Sequence, residues 1–81
     1  MFYVYVLYSE KFDKYYIGHT NNLDARIIRH NNGREEYTKK YVPWMLKLSI
    51  RKNTRAEAVQ LEKKLKNLSR ERILHFIDKC S

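Results

Sequence analysis

Hydrophobic and polar positions fall into blocks of differing period along the chain. Residues 2–8, FYVYVLY, are β-branched, aromatic or leucine throughout, the composition of a strand covered on both faces. Residues 9–14 are polar apart from Phe12 and predict a hairpin turn. Residues 15–19, YYIGH, form a second strand, antiparallel to the first because so short a connection cannot make a crossover. Asn22 can cap a helix over residues 23–29. Leu23, Ile27 and Ile28 make its apolar stripe, and Asn31-Asn32-Gly33 ends it. Residues 34–43 are charged and aromatic, closing at Pro43, and read as a loop with one helical turn. Residues 44–51, WMLKLSIR, alternate well enough for a third strand, with Trp44 assigned to the core. Thr54-Arg55-Ala56-Glu57 is a capping box. It opens a helix over 55–67 that buries Ala58, Leu61 and Leu65. Ser69 caps a last helix over 70–78, buried through Ile73, Phe76 and Ile77.

The order is therefore β-β-α-(turn)-β-α-α. It predicts an α+β fold, a three-stranded antiparallel sheet flanked by helices. The 81 residues suit one domain spanning 1–81. Such a domain buries only about 60% of its unfolded surface, so its core must be economical. No apolar run approaches the roughly 18 residues needed to cross a membrane. The apolar start lacks the basic residues of a signal peptide. The single cysteine, Cys80, cannot staple the fold and suits a reduced, cytoplasmic setting. Charge changes the picture most. A net charge of +8 and a pI near 9.7 are the footprint of a polyanion binder, with nucleic acid the leading candidate.

Against that background a few residues can carry chemistry. Tyr3, Tyr5 and Leu7 share one face of the first strand. If Tyr5 lies opposite Tyr16, their hydroxyls emerge there together; the alternative is two ordinary strand aromatics. Arg26 and His30 stand one helical turn apart on the flank of the stripe. They can grip a phosphate, for which Arg is best suited, or be solvated. Glu62 lies near the buried stripe of its helix. It pairs with Lys66 one turn on, or with a divalent metal, since Mg²⁺ often takes only one or two carboxylates. His19 reads as structural or phosphate-facing, and His75 as structural.

Taken in order, these residues resemble the GIY-YIG nuclease superfamily. The first motif stands as Tyr3-Val4-Tyr5 and the second as Tyr16-Ile17-Gly18, followed by His19-Thr20. Arg26 and His30 follow at the family's spacing, and Glu62 stands in the later helix. The resemblance runs over about residues 2–68. It looks closest to small stand-alone members related to the N-terminal cutting domain of the bacterial excision-repair incision subunit. It implies a metal-dependent DNA endonuclease of repair or processing. In that setting Tyr5 activates or positions the attacking water. Tyr16 hydrogen-bonds the nucleophile or the scissile phosphate. Arg26 neutralises charge growing on phosphorus, and His30 assists proton transfer or holds phosphate. Glu62 holds one Mg²⁺ (or Mn²⁺), and Gly18 keeps backbone bulk low. Two departures stand out. Tyr3 replaces the first motif's glycine, and Ile77 stands near where some larger relatives carry an Asn.

Lys39, Lys40, Arg51, Lys52 and Arg55, with Tyr37 among them, are the candidate nucleic-acid contacts. Arg34 and Lys47 add charge, and Tyr41 and Trp44 add rings. Basic plus aromatic suits a single-stranded or branched DNA. A chain without an appended DNA-binding module reads shape or borrows a protein partner for specificity. The rival readings are a non-catalytic nucleic-acid-binding module of the same fold and a small interaction protein of a larger assembly.

Overall fold

The computed structural model describes residues 1–80. Strands β1 (Phe2–Ser9), β2 (Lys14–Thr20) and β3 (Met45–Lys52) form one antiparallel sheet in the order β2-β1-β3. Helix α1 (Leu23–Asn31), a 3-10 turn (Thr38–Tyr41), α2 (Arg55–Lys66) and α3 (Arg70–Cys80) complete the fold. This is the α+β arrangement that the hydrophobic pattern predicts.

The central strand explains its own composition. Val4, Tyr5, Val6 and Leu7 are each no more than 1% exposed, because both faces are covered. Val4 and Val6 pack with Ile17, Ala58, Leu65 and Ile73 under α2 and α3. Tyr5 and Leu7 pack on the opposite face with Trp44, Leu23 and Ile27. Trp44 is buried, as expected, and its indole N–H donates to the Thr38 carbonyl at 2.9 Å. Asn31 holds the Trp44 backbone from both sides, donating to its carbonyl at 3.1 Å and accepting from its amide at 2.6 Å.

The expected element boundaries have local causes. The Asn22 side chain accepts from the Ala25 amide and starts α1. Gly33 adopts φ +74°, and the amides of Gly33 and Arg34 return to the carbonyls of His30 and Arg29. That is a Schellman ending, which needs a residue at ease with positive φ. The capping box of Thr54 and Glu57 is complete in both directions. At the hairpin turn, Asp13 takes φ +55°. Its carboxylate accepts from the Tyr8 hydroxyl and from Arg70 at the start of α3, tying the turn to the last helix.

Two expectations are corrected. Tyr5 lies opposite Gly18, and Tyr16 lies opposite Leu7, two residues along from the predicted register. A shift of two keeps every side chain on its face, so the hydrophobic pattern cannot detect it. Ile28 is 59% exposed rather than part of the buried stripe of α1. The buried face runs through Leu23, Ile27 and His30, with His30 only 1% exposed. An imidazole is tolerated there because both its ring nitrogens are hydrogen-bonded.

Candidate active site

The Tyr5 hydroxyl lies 3.0 Å from His30 Nε2, and His30 Nδ1 lies 2.8 Å from the Thr38 hydroxyl. Three elements thus meet in a buried polar chain between the sheet and α1. Each of the three residues is at most 1% exposed. Packing therefore fixes the chain in one geometry. Tyr16 closes over it, with its ring centroid 5.0 Å from that of His30 and 6.4 Å from that of Tyr5.

Gly18 makes this possible. A Cβ at that position would stand 2.6 Å from the Tyr5 hydroxyl and 2.8 Å from its ring. The phenol occupies the space a side chain would need, so glycine is required here for close approach.

Burial pushes the Tyr5 phenol well above its ordinary range, and Tyr16 adds to this. The Arg26 guanidinium opposes the rise, while Glu62 supports it. Tyr5 is therefore a neutral phenol near neutral pH, not a phenolate. Burial also lowers the His30 pKa. Glu35 opposes that, and Arg26 and Arg29 reinforce it. His30 is accordingly a neutral imidazole with one donor and one acceptor nitrogen. Buried in this way, it is not the solvated side chain that its spacing also allowed.

Arg26 lies close enough to act on the Tyr5 hydroxyl and also lines a cleft with Phe2, His19, Thr20, Asn21 and Arg55. Two guanidiniums and an imidazole facing one shallow opening favour an anion. Arg55 also lies over the Phe2 ring, 5.0 Å from its centroid.

Glu62, on α2, adjoins this cleft through His19, one of the residues that line it. His19 Nδ1–H donates to its Oε1 at 2.6 Å, and Lys66 donates to its Oε2 at 2.8 Å. Burial raises the carboxyl's pKa, but the bonds from Lys66 and His19 outweigh it and hold the group below the usual range. The pair with Lys66 is the one its spacing predicted. His19 is the partner that sequence reasoning missed, because 43 residues separate it from Glu62.

The donor set fits a hard divalent cation held by one carboxylate, with water and phosphate filling the other positions. Among the described residues no three His, Cys, Asp or Glu side chains converge, so the donors are not those of a zinc cage. Lys66 is half exposed and can leave Glu62 Oε2 to such a cation.

The candidate nucleic-acid contacts are carried by different elements. Arg55 borders the cleft. Arg51 pairs with Tyr3 across the strands, in the same row as Thr20. Lys52 is half-buried beside it. Lys39 and Lys40 lie on the 3-10 turn, where Lys39 pairs with Glu36. Tyr37 is half exposed and stacks on Tyr16, with centroids 6.1 Å apart. Thr38, at the start of the 3-10 turn, is a further residue to which the sequence assigned no role; no helical or strand period marks its buried hydroxyl.

Comparison with known proteins identifies the family and agrees with the fold. The model of the GIY-YIG catalytic domain matches residues 1–74. A UPF0213 protein of Staphylococcus haemolyticus is 35% identical over 77 residues, covering 94% of this chain and 93% of that one. A UPF0213 protein of Bacillus licheniformis is 36% identical, over 94% of this chain and 78% of the relative. The solution NMR structure of a UPF0213 protein from Bacillus halodurans superposes with a TM-score of 0.62 at 30% identity, covering 96% of this chain and 84% of that one. The chain therefore belongs to the GIY-YIG catalytic domain family, a family of nucleases, and is akin to its UPF0213 proteins.

Proposed function

We propose that the chain, as one domain over 1–81, is a metal-dependent endonuclease. It hydrolyses DNA phosphodiester bonds in the cytoplasm, in repair or processing of DNA. The observation that carries this reading is the meeting of a neutral Tyr5–His30 pair with the Arg26 cleft and the Glu62 rim. Hydrolysis of an anionic diester needs charge neutralisation, in-line alignment and a proton acceptor. All three classes of group are present within one small region.

In this reading Arg26 and Arg55 hold the phosphate in the cleft. Tyr16 positions the scissile phosphate or the attacking water. In the tautomer that donates from Nδ1 to Thr38, His30 Nε2 accepts from the Tyr5 hydroxyl. Water attacks phosphorus and gives its proton to the Tyr5 oxygen as Tyr5 passes its own proton to His30. The new bond joins phosphorus to the water oxygen, and the bond to the leaving oxygen breaks. The leaving oxygen takes a proton from solvent in the open cleft. Tyr5 never has to ionise before the reaction, so its raised pKa is compatible with the role. Glu62, oriented by His19, would hold Mg²⁺ (or Mn²⁺), which would supply charge neutralisation to the reacting phosphate.

The test is cleavage of labelled single-stranded, duplex, flap and branched DNA with Mg²⁺, Mn²⁺ or EDTA. The expected result is cutting of at least one substrate with metal and none with EDTA. Binding without cutting on every substrate would favour the non-catalytic module.

A further inference from the structure

A ladder of rings leaves the candidate site away from the arginine cleft. It starts at Tyr16 and passes to Tyr37, Tyr41 and Phe12, with centroid steps of 6.1, 5.3 and 5.4 Å. The register fixes its direction. The cleft lies at the Thr20 end of β2, whereas Phe12 sits in the turn beyond Lys14. Neither Phe12 nor Tyr37 belongs to either core, and they are 42% and 50% exposed. Outside both cores, these rings join Tyr41 in one contiguous, partly exposed aromatic strip, the kind of surface feature that marks a binding site.

Cations accompany the rings. Lys11 Nζ lies 5.6 Å from the Phe12 centroid, and Lys14 Nζ lies 5.3 Å from that of Tyr41. Lys40 and Lys39 stand exposed on the adjoining 3-10 turn, the latter beside Glu36. A ligand that offers flat faces to the rings and anions to the lysines matches both halves. Unpaired nucleotides have that chemistry, and the lysines can exchange a ring face for a phosphate as a base takes their place. Paired bases are unavailable, since each is stacked at about 3.4 Å from the next along its strand. The rings are turned against one another by 29°, 56° and 73° along the ladder, so they match the splayed bases of an unpaired strand rather than a parallel stack.

We propose that the Tyr37–Tyr41–Phe12 ladder, with Lys11 and Lys14, binds the unpaired bases of a single-stranded nucleic-acid segment. The inference rests on the nuclease reading only in placing that segment next to Tyr16 and the scissile bond. The duplex side of the substrate then lies toward Arg26 and Arg55, and the single strand toward the hairpin turn.

Binding in EDTA tests the ladder apart from catalysis. Fluorescence anisotropy would compare a fluorescein-labelled oligothymidylate of about 12 nucleotides with an abasic strand of equal length and charge. The wild-type protein should bind the oligothymidylate about 5-fold or more tightly than the abasic strand. Phe12→Ala should weaken oligothymidylate binding about 5-fold or more while leaving abasic binding unchanged, and Phe12→Trp should restore it. Phe12 is outside both cores, and an unchanged melting temperature would confirm that its variants fold. Equal wild-type affinity for both strands, or Phe12→Ala binding like wild type, would overturn the proposal. Base-dependent binding by a protein that never cuts would keep the ladder and remove the nuclease reading. Cutting without base-dependent binding would do the reverse.

Discussion

The two halves of the candidate site are built in opposite ways. Tyr5, His30 and Thr38 lie inside the molecule, between the sheet and α1, each at most 1% exposed. Glu62 on α2 and His19 on β2 meet at the rim on the other face of the sheet, with side chains 18% and 25% exposed. The buried half is held by packing on every side and has one geometry. The rim is held by a hydrogen bond from His19 and by an ion pair to a half-exposed lysine that can leave. Proton transfer needs fixed distances, whereas cation and phosphate binding need groups that can exchange partners. The difference teaches that substitutions in the buried half should disturb fold and chemistry together, and substitutions at the rim chemistry alone.

That contrast can be broken in order of effect. Glu62→Ala should remove metal-dependent cutting altogether while leaving the melting temperature close to wild type, read by cleavage assay and calorimetry. Tyr5→Phe should slow cleavage by roughly 10²–10⁴. It should also cost about 1–3 kcal/mol of stability, because His30 Nε2 loses its partner inside the core. Chemical denaturation alongside single-turnover kinetics separates the two effects. Gly18→Ala adds a methyl where the Tyr5 hydroxyl stands. It should destabilise by about 1–3 kcal/mol and displace Tyr5 from His30. An unaltered melting curve would contradict the close approach.

Smaller effects sharpen the comparison. Lys66→Met removes the cation that competes for Glu62 Oε2, so half-maximal cutting should need about 2- to 5-fold less Mg²⁺. A higher requirement would mean that Lys66 assists the site rather than blocks it. The pH dependence follows from His30. Its pKa is lowered in the folded protein, so it stays neutral as pH falls through the ordinary value of about 6.5. The acid limb of the rate profile attributable to His30 should therefore lie below about pH 6.5. The unfolded chain takes up that proton first, so the His30 contribution to stability is present above about pH 6.5 and is lost as pH falls toward the folded pKa. An acid limb centred at or above the ordinary value would contradict a buried, neutral His30.

Much of the fold was legible because local signals agreed with one another. The apolar run of β1, the Asn22 cap, the Thr54 capping box and Gly33 each name a boundary that the structure repeats. Strand register was not legible, because a period of two is blind to a shift of two. Ile28 and His30 were misread for a related reason. A short helix has too few apolar residues to fix its buried face, and the network around His30 decided the matter. The resemblance to the family drew attention to Tyr5, Tyr16, Arg26, His30 and Glu62 in order. The structure brings Tyr5, Tyr16 and His30 into direct contact. It sets Arg26 at the cleft and Glu62 at the rim. The partners of His19 and Thr38 were hidden because tertiary packing, not helical or strand period, brings them together.

The most direct test of a two-part site is to measure cleavage and melting together on wild type and Glu62→Ala, with Mg²⁺ and with EDTA. The account predicts metal-dependent cutting by wild type only, with matching melting temperatures for the two proteins. Cutting by Glu62→Ala at the wild-type rate, or its loss only through unfolding, would contradict it.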